Sequence, residues 1–140
     1  RERRRRLEAA PQNLKDAVTL MEANLHEPLS LDELAGYTGQ SRRQLERLFR
    51  KHLESVPTRY YMNLRLARAR QLLLYTALSV AEVARACGFV SPPHFTKCYH
   101  EYHGCSPTEA RRRTAGACAA LGPATNDADH AASSDRRDAG

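Results

Sequence analysis

One pattern of helix-starting and helix-ending residues occurs twice in this sequence, at an offset of about fifty residues. In the first copy, Ser30 and Glu33 have the spacing of a capping box, in which each side chain binds a backbone N–H at a helix start. Gly39 follows, and glycine can end a helix in the left-handed conformation without steric cost. Ser41 then favours a second helix start. The copy predicts two short helices joined by a tight turn.

The second copy repeats these signals in the same order. Ser79 and Glu82 supply the capping box, Gly88 the turn and Ser91 the next cap. Pro92 stands at the first position of the following helix, where its missing N–H costs nothing. We therefore expect the same two-helix unit at both places.

The second helix of each copy has an apolar face at matching positions. Leu45 and Phe49 follow Ser41 at the same intervals at which Phe95 and Tyr99 follow Ser91, a spacing that places each pair on one side of a helix. The opposite side of the first of these helices is charged: Arg42, Arg43, Glu46, Arg47, Arg50, Lys51. A glycine turn followed by such a helix is typical of a helix-turn-helix, whose second helix reads the major groove.

Residues 57–75, between the copies, predict one long helix with apolar residues on two sides. The first side carries Tyr60, Tyr61, Leu64, Ala67, Leu72 and Leu74, and the second Met62, Leu66, Ala69 and Leu73. We expect this helix to pack against both units, with Arg59, Asn63 and Arg70 in the gap between the two sides. At about 1.5 Å per residue it is roughly 28 Å long, near the roughly 34 Å between successive major-groove faces. One monomer could then span two grooves.

The predicted fold is all-α, with two helix-turn-helix subdomains joined by this linker helix and about seven helices. Leu14, Val18, Met21 and Leu25 recur at helical spacing and predict a support helix that ends near Pro28. The expected organisation is a basic linker from an upstream domain (1–12), a double helix-turn-helix domain (13–113, comprising 13–56, 57–75 and 76–113) and a disordered tail (114–140).

Charge and hydropathy narrow the class of partner. The formal net charge of +6 over 140 residues favours a polyanion, and nucleic acid is favoured over an acidic membrane surface. No apolar stretch approaches the roughly 18 residues of a membrane-spanning helix. We expect a cytoplasmic protein that binds double-stranded DNA, with no membrane association and no cofactor.

Three segments carry a resemblance to a known family: EPLSLDELAGYTGQSRRQLERLFRKHL, PTRYYMNLRLARARQLLLYTALSVAEVARACGF and SPPHFTKCYHEYHGCSPTEARR. Through them, residues 14–112 resemble the DNA-binding domain of the AraC/XylS family of transcription activators. The run LMEANLHEPLS followed by SRRQLERLF is similar to the subgroup with a glutamine-amidotransferase-like upstream domain. The resemblance implies a seven-helix domain whose third and sixth helices enter consecutive major-groove segments.

The same resemblance implies which residues touch DNA. In the first recognition helix, at about 41–53, the base-reading positions fall on Arg43, Glu46 and Arg47, with Arg42 adjacent and Lys51 a phosphate candidate. Arginine can bind guanine in a fork and glutamate can accept from cytosine, at about 1 to 3 kcal/mol of discrimination per good pair. We expect this helix to carry most of the specificity.

In the second recognition helix, at about 91–103, the implied positions are Pro92, Pro93, His94 and Lys97, with Ser91 at the helix start. The two prolines depart from the family's usual polar residues, because they have no side-chain hydrogen-bond donors. This helix is expected to read DNA shape, thymine methyl groups or phosphate more than base edges.

The resemblance also bears on the whole protein. It implies a sequence-specific transcription regulator, mostly of the activating kind, that contacts RNA polymerase and senses a small molecule only through an upstream domain. A module that binds RNA polymerase or another regulator without tight DNA binding is the alternative. DNA binding would weaken steeply with salt, whereas an apolar protein interface would not.

Two other readings of the side chains are weaker. Cys98, His100, His103 and Cys105 are close in sequence, but 98, 100 and 103 do not share a helix face, so we expect surface histidines, a packed or half-exposed Cys98 and no metal. Cys87 is expected in the core. No cysteine is placed with a base and an orienting carboxylate, so we expect no enzyme.

Overall fold

A computed structural model describes residues 2–117 of the 140-residue chain, with side chains from 5 to 113. It contains eight helices and no strand within the described range, which confirms the all-α prediction. They are α1 (Glu2–Glu8), α2 (Gln12–Ala23), α3 (Leu31–Tyr37), α4 (Arg42–Leu53), α5 (Pro57–Tyr75), α6 (Val80–Ala86), α7 (Pro92–His103) and α8 (Pro107–Ala117). None of the described helices is long and apolar enough to cross a membrane.

The predicted capping boxes start α3 and α6. The Ser30 hydroxyl accepts the Glu33 N–H at 3.1 Å, and a Glu33 carboxylate oxygen accepts the Ser30 N–H at 2.8 Å. Ser79 and Glu82 make the same pair of bonds at 3.0 and 2.8 Å. Both helices therefore begin at the residue that the sequence indicates.

The recognition helices are capped differently. Ser41 and Gln44 form a complete capping box at the start of α4, with bonds of 3.1 and 2.9 Å. At the start of α7, the Ser91 hydroxyl accepts the His94 N–H at 3.2 Å. Ser91 is a single-sided cap because the third residue of α7 is a histidine where α4 has a glutamine.

Both turns close through the predicted glycines. Gly39 has φ of +69° and Gly88 has φ of +83°, values that favour glycine. The residue after each glycine completes the turn: the Gln40 N–H donates to the Ala35 carbonyl at 3.0 Å, and the Phe89 N–H donates to the Ala84 carbonyl at 2.9 Å. The two helix-turn-helix units thus share one backbone design.

The chain divides within α5 into a first unit, Arg1–Leu64, and a second, Arg65–Gly140. In the first unit, Leu45 and Phe49 of α4 are fully buried, as predicted, against a cluster that includes Leu14 and Met21 of α2. The Phe49 ring meets Tyr60 edge-on at 5.5 Å. These contacts fix the buried side of α4 and leave the opposite side exposed.

The expectation of a linker over 1–12 needs correction, because residues 2–8 form α1. Leu7 packs against the core of the first unit and Ala10 is buried. Arg6 also lies 3.1 Å from the carboxylate of Glu54, just after α4. A few apolar residues anchor this basic segment, so it belongs to the first unit.

The second unit has an aromatic core. Phe95 and Tyr99 of α7 are fully buried, and the Phe95 ring lies 5.1 Å from Phe89 and 5.7 Å from Tyr99. On α5, Leu66, Ala69 and Leu73 are buried as well. The matched positions of the sequence repeat are therefore core positions in both units.

Two side chains were wrongly expected at polar surfaces. His103 is only 8% exposed, with Nε2 3.0 Å from the Leu66 carbonyl and its ring 4.3 Å from that of Tyr99. Asn63, expected in the polar gap of α5, is 5% exposed. In both cases non-local packing overrides a polar residue type.

The bounds of α5 agree with the predicted linker helix, and its role in setting the distance between the units stays a prediction. At the other end, α8 extends to Ala117, so the first four residues assigned to the tail are helical. Residues 118–140 of the expected disordered tail lie outside the described residues.

Candidate nucleic-acid interface

The exposed side of α4 carries a row of cations. Arg43, Arg47 and Lys51 recur at helical spacing on the side opposite Leu45 and Phe49, and all three are exposed. A helix backed by an apolar core and carrying such a row can lie in the major groove with the cations facing DNA. All five predicted residues of the first unit lie on this helix.

The other two residues predicted on α4, Arg42 and Glu46, are already in contact. Arg42 Nε lies 3.8 Å from Glu46 Oε2, and Arg42 Nη1 lies 3.8 Å from Asp32 Oδ1 on α3. Exposed ion pairs of this kind stabilise by about 0 to 1 kcal/mol, so they exchange readily for contacts with a ligand. Asp32, which sequence reasoning missed, thus lies within ion-pair distance of Arg42.

The corresponding row on α7 has different chemistry. Pro93, Lys97 and Glu101 occupy the positions of Arg43, Arg47 and Lys51, counted from the capping serine, and all are exposed. The row therefore replaces three cations by an apolar ring, a cation and a carboxylate.

His94, the remaining predicted residue of α7 besides the Ser91 cap, is held against its own unit. Its ring meets Phe89 edge-on at 5.8 Å, and Nε2 lies 3.4 Å from the sulfur of Cys98. Cys98 is half-buried, as expected. His94 is exposed, but these contacts limit how far it can reach toward a base.

Arg65 is a second residue that sequence reasoning missed, and its role is structural. Its Nε donates to the Cys87 carbonyl at 2.8 Å, Nη2 donates to the Gly88 carbonyl at 2.7 Å, and Cζ lies 4.3 Å above the Phe89 ring. The guanidinium thereby fixes the turn that leads into α7. The only sign of this role in the sequence would have been the glycine turn, because such a turn exposes two backbone carbonyls that need a donor.

The two buried thiols, Cys87 and Cys105, are poor candidates for chemistry. Burial raises the pKa of the Cys87 thiol to about 11, and burial also raises the pKa of Cys105. Cys87 is fully buried, as expected for a core residue. Among the described residues no group of three or more histidine, cysteine or acidic side chains is placed to hold a metal ion.

Comparison with known proteins agrees with this geometry. A family model described as a helix-turn-helix domain matches residues 34–113. The HTH-type transcriptional regulator GbdR of Pseudomonas aeruginosa is 62% identical over 99 residues, which cover 71% of this chain and 27% of GbdR. The chain belongs to the AraC family of helix-turn-helix proteins. It spans about a quarter of the length of that curated relative.

Two solved structures match this AraC-type domain. A transcriptional regulator from Chromobacterium violaceum with an AraC-type DNA-binding domain is 52% identical, with a TM-score of 0.72 over 74% of this chain and 93% of that one. The DNA-binding domain of AdpA, solved with a target DNA, is 31% identical with a TM-score of 0.72 over 75% and 95%. The family resemblance and the fold class are confirmed, and the family is one of transcription regulators and not of enzymes.

Proposed function

We propose that this protein is a sequence-specific DNA-binding transcription regulator that inserts α4 and α7 into major-groove segments of double-stranded DNA. The observation that carries the proposal is the repeated unit: two capped helices, each with one fully buried aromatic side and one exposed side, each following a glycine turn. The structure of the AdpA domain with a target DNA supports the choice of partner.

The first unit supplies most of the base-edge contacts in this proposal. Arg43 and Arg47 each present a guanidinium that can bind guanine O6 and N7, and Glu46 can accept from cytosine N4 once Arg42 turns to phosphate. Lys51, one helical turn beyond Arg47, fits a phosphate contact. These roles follow from exposure and position on α4.

The experiment that tests the proposal is selection of bound fragments from genomic DNA, followed by affinity measurements on the recovered site. We expect a motif of two short blocks. Arg47→Ala should weaken binding by about tenfold to a hundredfold and relax one block, because a bidentate base contact discriminates by about 1 to 3 kcal/mol. Arg68→Ala, which removes an exposed arginine of α5 outside both recognition helices, is the charge-matched control and should change affinity less.

Salt dependence separates this proposal from the protein-interaction module. Binding through several phosphate contacts should lose affinity steeply as salt rises, with a log–log slope of about −0.9 per neutralised phosphate. If no motif is enriched and random DNA binds equally weakly at all salt concentrations, the proposal is overturned in favour of the module that binds other proteins.

The wider role extends the same proposal. A cytoplasmic regulator of this kind would activate transcription by contacting RNA polymerase, and its small-molecule effector would act through a domain outside this chain, glutamine-amidotransferase-like in the subgroup that the sequence resembles. Transcription from a promoter that carries the selected site, with purified RNA polymerase and the full-length protein, tests activation. A decrease in transcript on adding the protein would identify a repressor.

A further inference from the structure

The first turn of α7 has almost no free backbone N–H groups. Its first two residues, Pro92 and Pro93, have no backbone N–H, and the N–H of His94 is used by the Ser91 hydroxyl at 3.2 Å. The next N–H, that of Phe95, donates to the Ser91 carbonyl at 3.1 Å. A helix start normally offers such groups to phosphate or to acceptor atoms, and the first four residues of α7 have none left to offer.

Three exposed residues at and next to that helix start carry apolar atoms. Val90, the residue before the cap, is 96% exposed, the largest value among the exposed large hydrophobic residues of the described chain. Pro93 and Thr96 are exposed on α7 itself, and Thr96 holds the position that Glu46 has on α4. Their outer atoms include the valine methyls, the proline ring and the threonine methyl.

Resting on the proposed function, we propose that the second unit recognises thymine by apolar contact of Val90, Pro93 and Thr96 with the C5-methyl group. That methyl is the only apolar group that a base pair displays in the major groove, and threonine and other small apolar side chains are suited to contact it. N-terminal residues of a recognition helix approach the base edges, which is where these three residues lie. Lys97 then supplies attraction to the backbone.

The test replaces single thymines by deoxyuridine in a duplex of the selected site and measures affinity by fluorescence anisotropy with the 140-residue chain. The change removes the methyl and leaves every hydrogen-bonding group in place. The second unit's block is identified as the one that Arg47→Ala does not relax. We expect at least one substitution in that block to weaken binding about fourfold, the value for one buried methyl-sized group.

A reciprocal change adds the methyl to another base. Where thymine is replaced by cytosine in that block, 5-methylcytosine should bind more tightly than unmodified cytosine, because it restores the methyl at the same place in the groove. Equal binding of the two cytosines would count against the inference.

Protein variants assign the effect to residues. The double variant Val90→Ser, Thr96→Ser should discriminate less between thymine and deoxyuridine sites than the wild type, because only Pro93 of the three contacts remains, and both positions are exposed, so circular dichroism should show an unchanged fold. Arg47→Ala should lose affinity and keep the thymine preference of the second block. A preference as large in the double variant as in the wild type would overturn the assignment to Val90 and Thr96.

Two failures remain distinguishable. If a specific motif is recovered but deoxyuridine has no effect in the second block, the methyl inference is wrong and the proposed function stands. If no motif is recovered at all, the proposed function itself is overturned, and this inference with it.

Discussion

Each unit has a side chain that reaches its turn from the preceding helix, Asn13 of α2 in the first unit and Arg65 of α5 in the second. Asn13 precedes the buried Leu14 of the first unit as Arg65 precedes the buried Leu66 of the second. Asn13 Nδ2 donates to Gln40 Oε1 at 3.3 Å, a long bond between side chains, whereas Arg65 donates to two backbone carbonyls at 2.7 and 2.8 Å. The same turn backbone is therefore accompanied by one long hydrogen bond in the first unit and by two short hydrogen bonds in the second.

The difference teaches where this fold is constrained. The capping boxes of α3 and α6, the left-handed glycines of the turns and the buried stripe agree between units, since these set the backbone. The outward rows do not agree: cations line α4, whereas Pro93, Lys97 and Glu101 line α7. The backbone and the core can therefore stay the same while the exposed residues of the second helix change.

The largest expected effect is on the two cores. Phe49→Ala and Phe95→Ala should each lower the free energy of unfolding by about 3 to 5 kcal/mol, because each removes a fully buried ring and leaves a cavity. Urea denaturation followed by far-ultraviolet circular dichroism measures both. Val90→Ala, at a 96% exposed position, is the control and should stay within about 0.5 kcal/mol of wild type. A loss below about 1 kcal/mol for one ring alone would show that the cores are not equivalent.

The next largest effect on stability is expected for the two side chains that contact the turns. Arg65→Met should lower the free energy of unfolding by about 2 to 3 kcal/mol, since it removes two charge-assisted hydrogen bonds and the contact with Phe89. Asn13→Ala should lower it by about 1 kcal/mol or less, because the lost bond is long and the buried Oδ1 of Asn13 has no hydrogen-bond partner.

Arg65→Lys separates charge from geometry in the same denaturation experiment. Lysine keeps the positive charge but has no planar fork to reach the Cys87 and Gly88 carbonyls together, so most of the loss should remain. Equal losses for Arg65→Met and Asn13→Ala would contradict the contrast between these two side chains.

The ends of the recognition helices give a smaller, two-way prediction. Gly104 ends α7 with φ of +83°, while Glu54 ends α4 with φ of +53°. Gly104→Ala should destabilise by about 1 kcal/mol, a backbone effect alone because its Cβ would meet nothing within 4 Å. Glu54→Gly should stabilise by about 0.5 to 1 kcal/mol.

The exposed ion pair between Arg6 and Glu54 is controlled for by Glu54→Gln, which removes the charge and keeps the left-handed strain. Thermal unfolding should rank the three proteins with glycine highest. If Glu54→Gly instead melts below Glu54→Gln, the ion pair outweighs the strain.

The smallest expected effect is on the loss of stability at acid pH. Hydrogen bonds from the Ser79 backbone and side chain lower the pKa of Glu82 below its ordinary 4.5, so its stabilising contribution is present above that value and is lost as pH falls through the lowered pKa. Glu82→Gln should therefore flatten the fall in melting temperature between neutral and acid pH. Gln44 holds the same position in the α4 box and does not titrate, so Gln44→Glu should steepen that fall.

Local signals predicted most of the frame. A capping box closes within four residues and a glycine turn within six, so Ser30, Ser79, Gly39 and Gly88 could be placed without any tertiary contact. The buried stripes followed from periodicity alone. On the candidate site, the same reasoning placed the charged face of α4 and the proline-led start of α7, and their contacts with DNA remain predictions.

Non-local contacts escaped sequence reasoning. The run of arginines in residues 1–12 indicated a linker, so α1 was not predicted, and Leu7 packs this helix against the core of the first unit. Arg65 resembled any surface arginine of a long helix, because its partners lie more than twenty residues away. His103 resembled a surface histidine until the Leu66 carbonyl and the Tyr99 ring enclosed it. Each error concerns a side chain whose contacts lie outside its own helix turn, where local sequence patterns give no information.

The inequality of the two outward rows gives the molecule a direction. A two-fold symmetric dimer binds a palindromic site in either orientation, because its two readers are identical and related by symmetry. Here α4 presents arginines and α7 presents prolines, so the two helices would read different sequences under the proposed function, and an asymmetric site would then bind the chain in one orientation. The orientation of such a site in a promoter would then set whether the bound protein faces toward or away from the start of transcription.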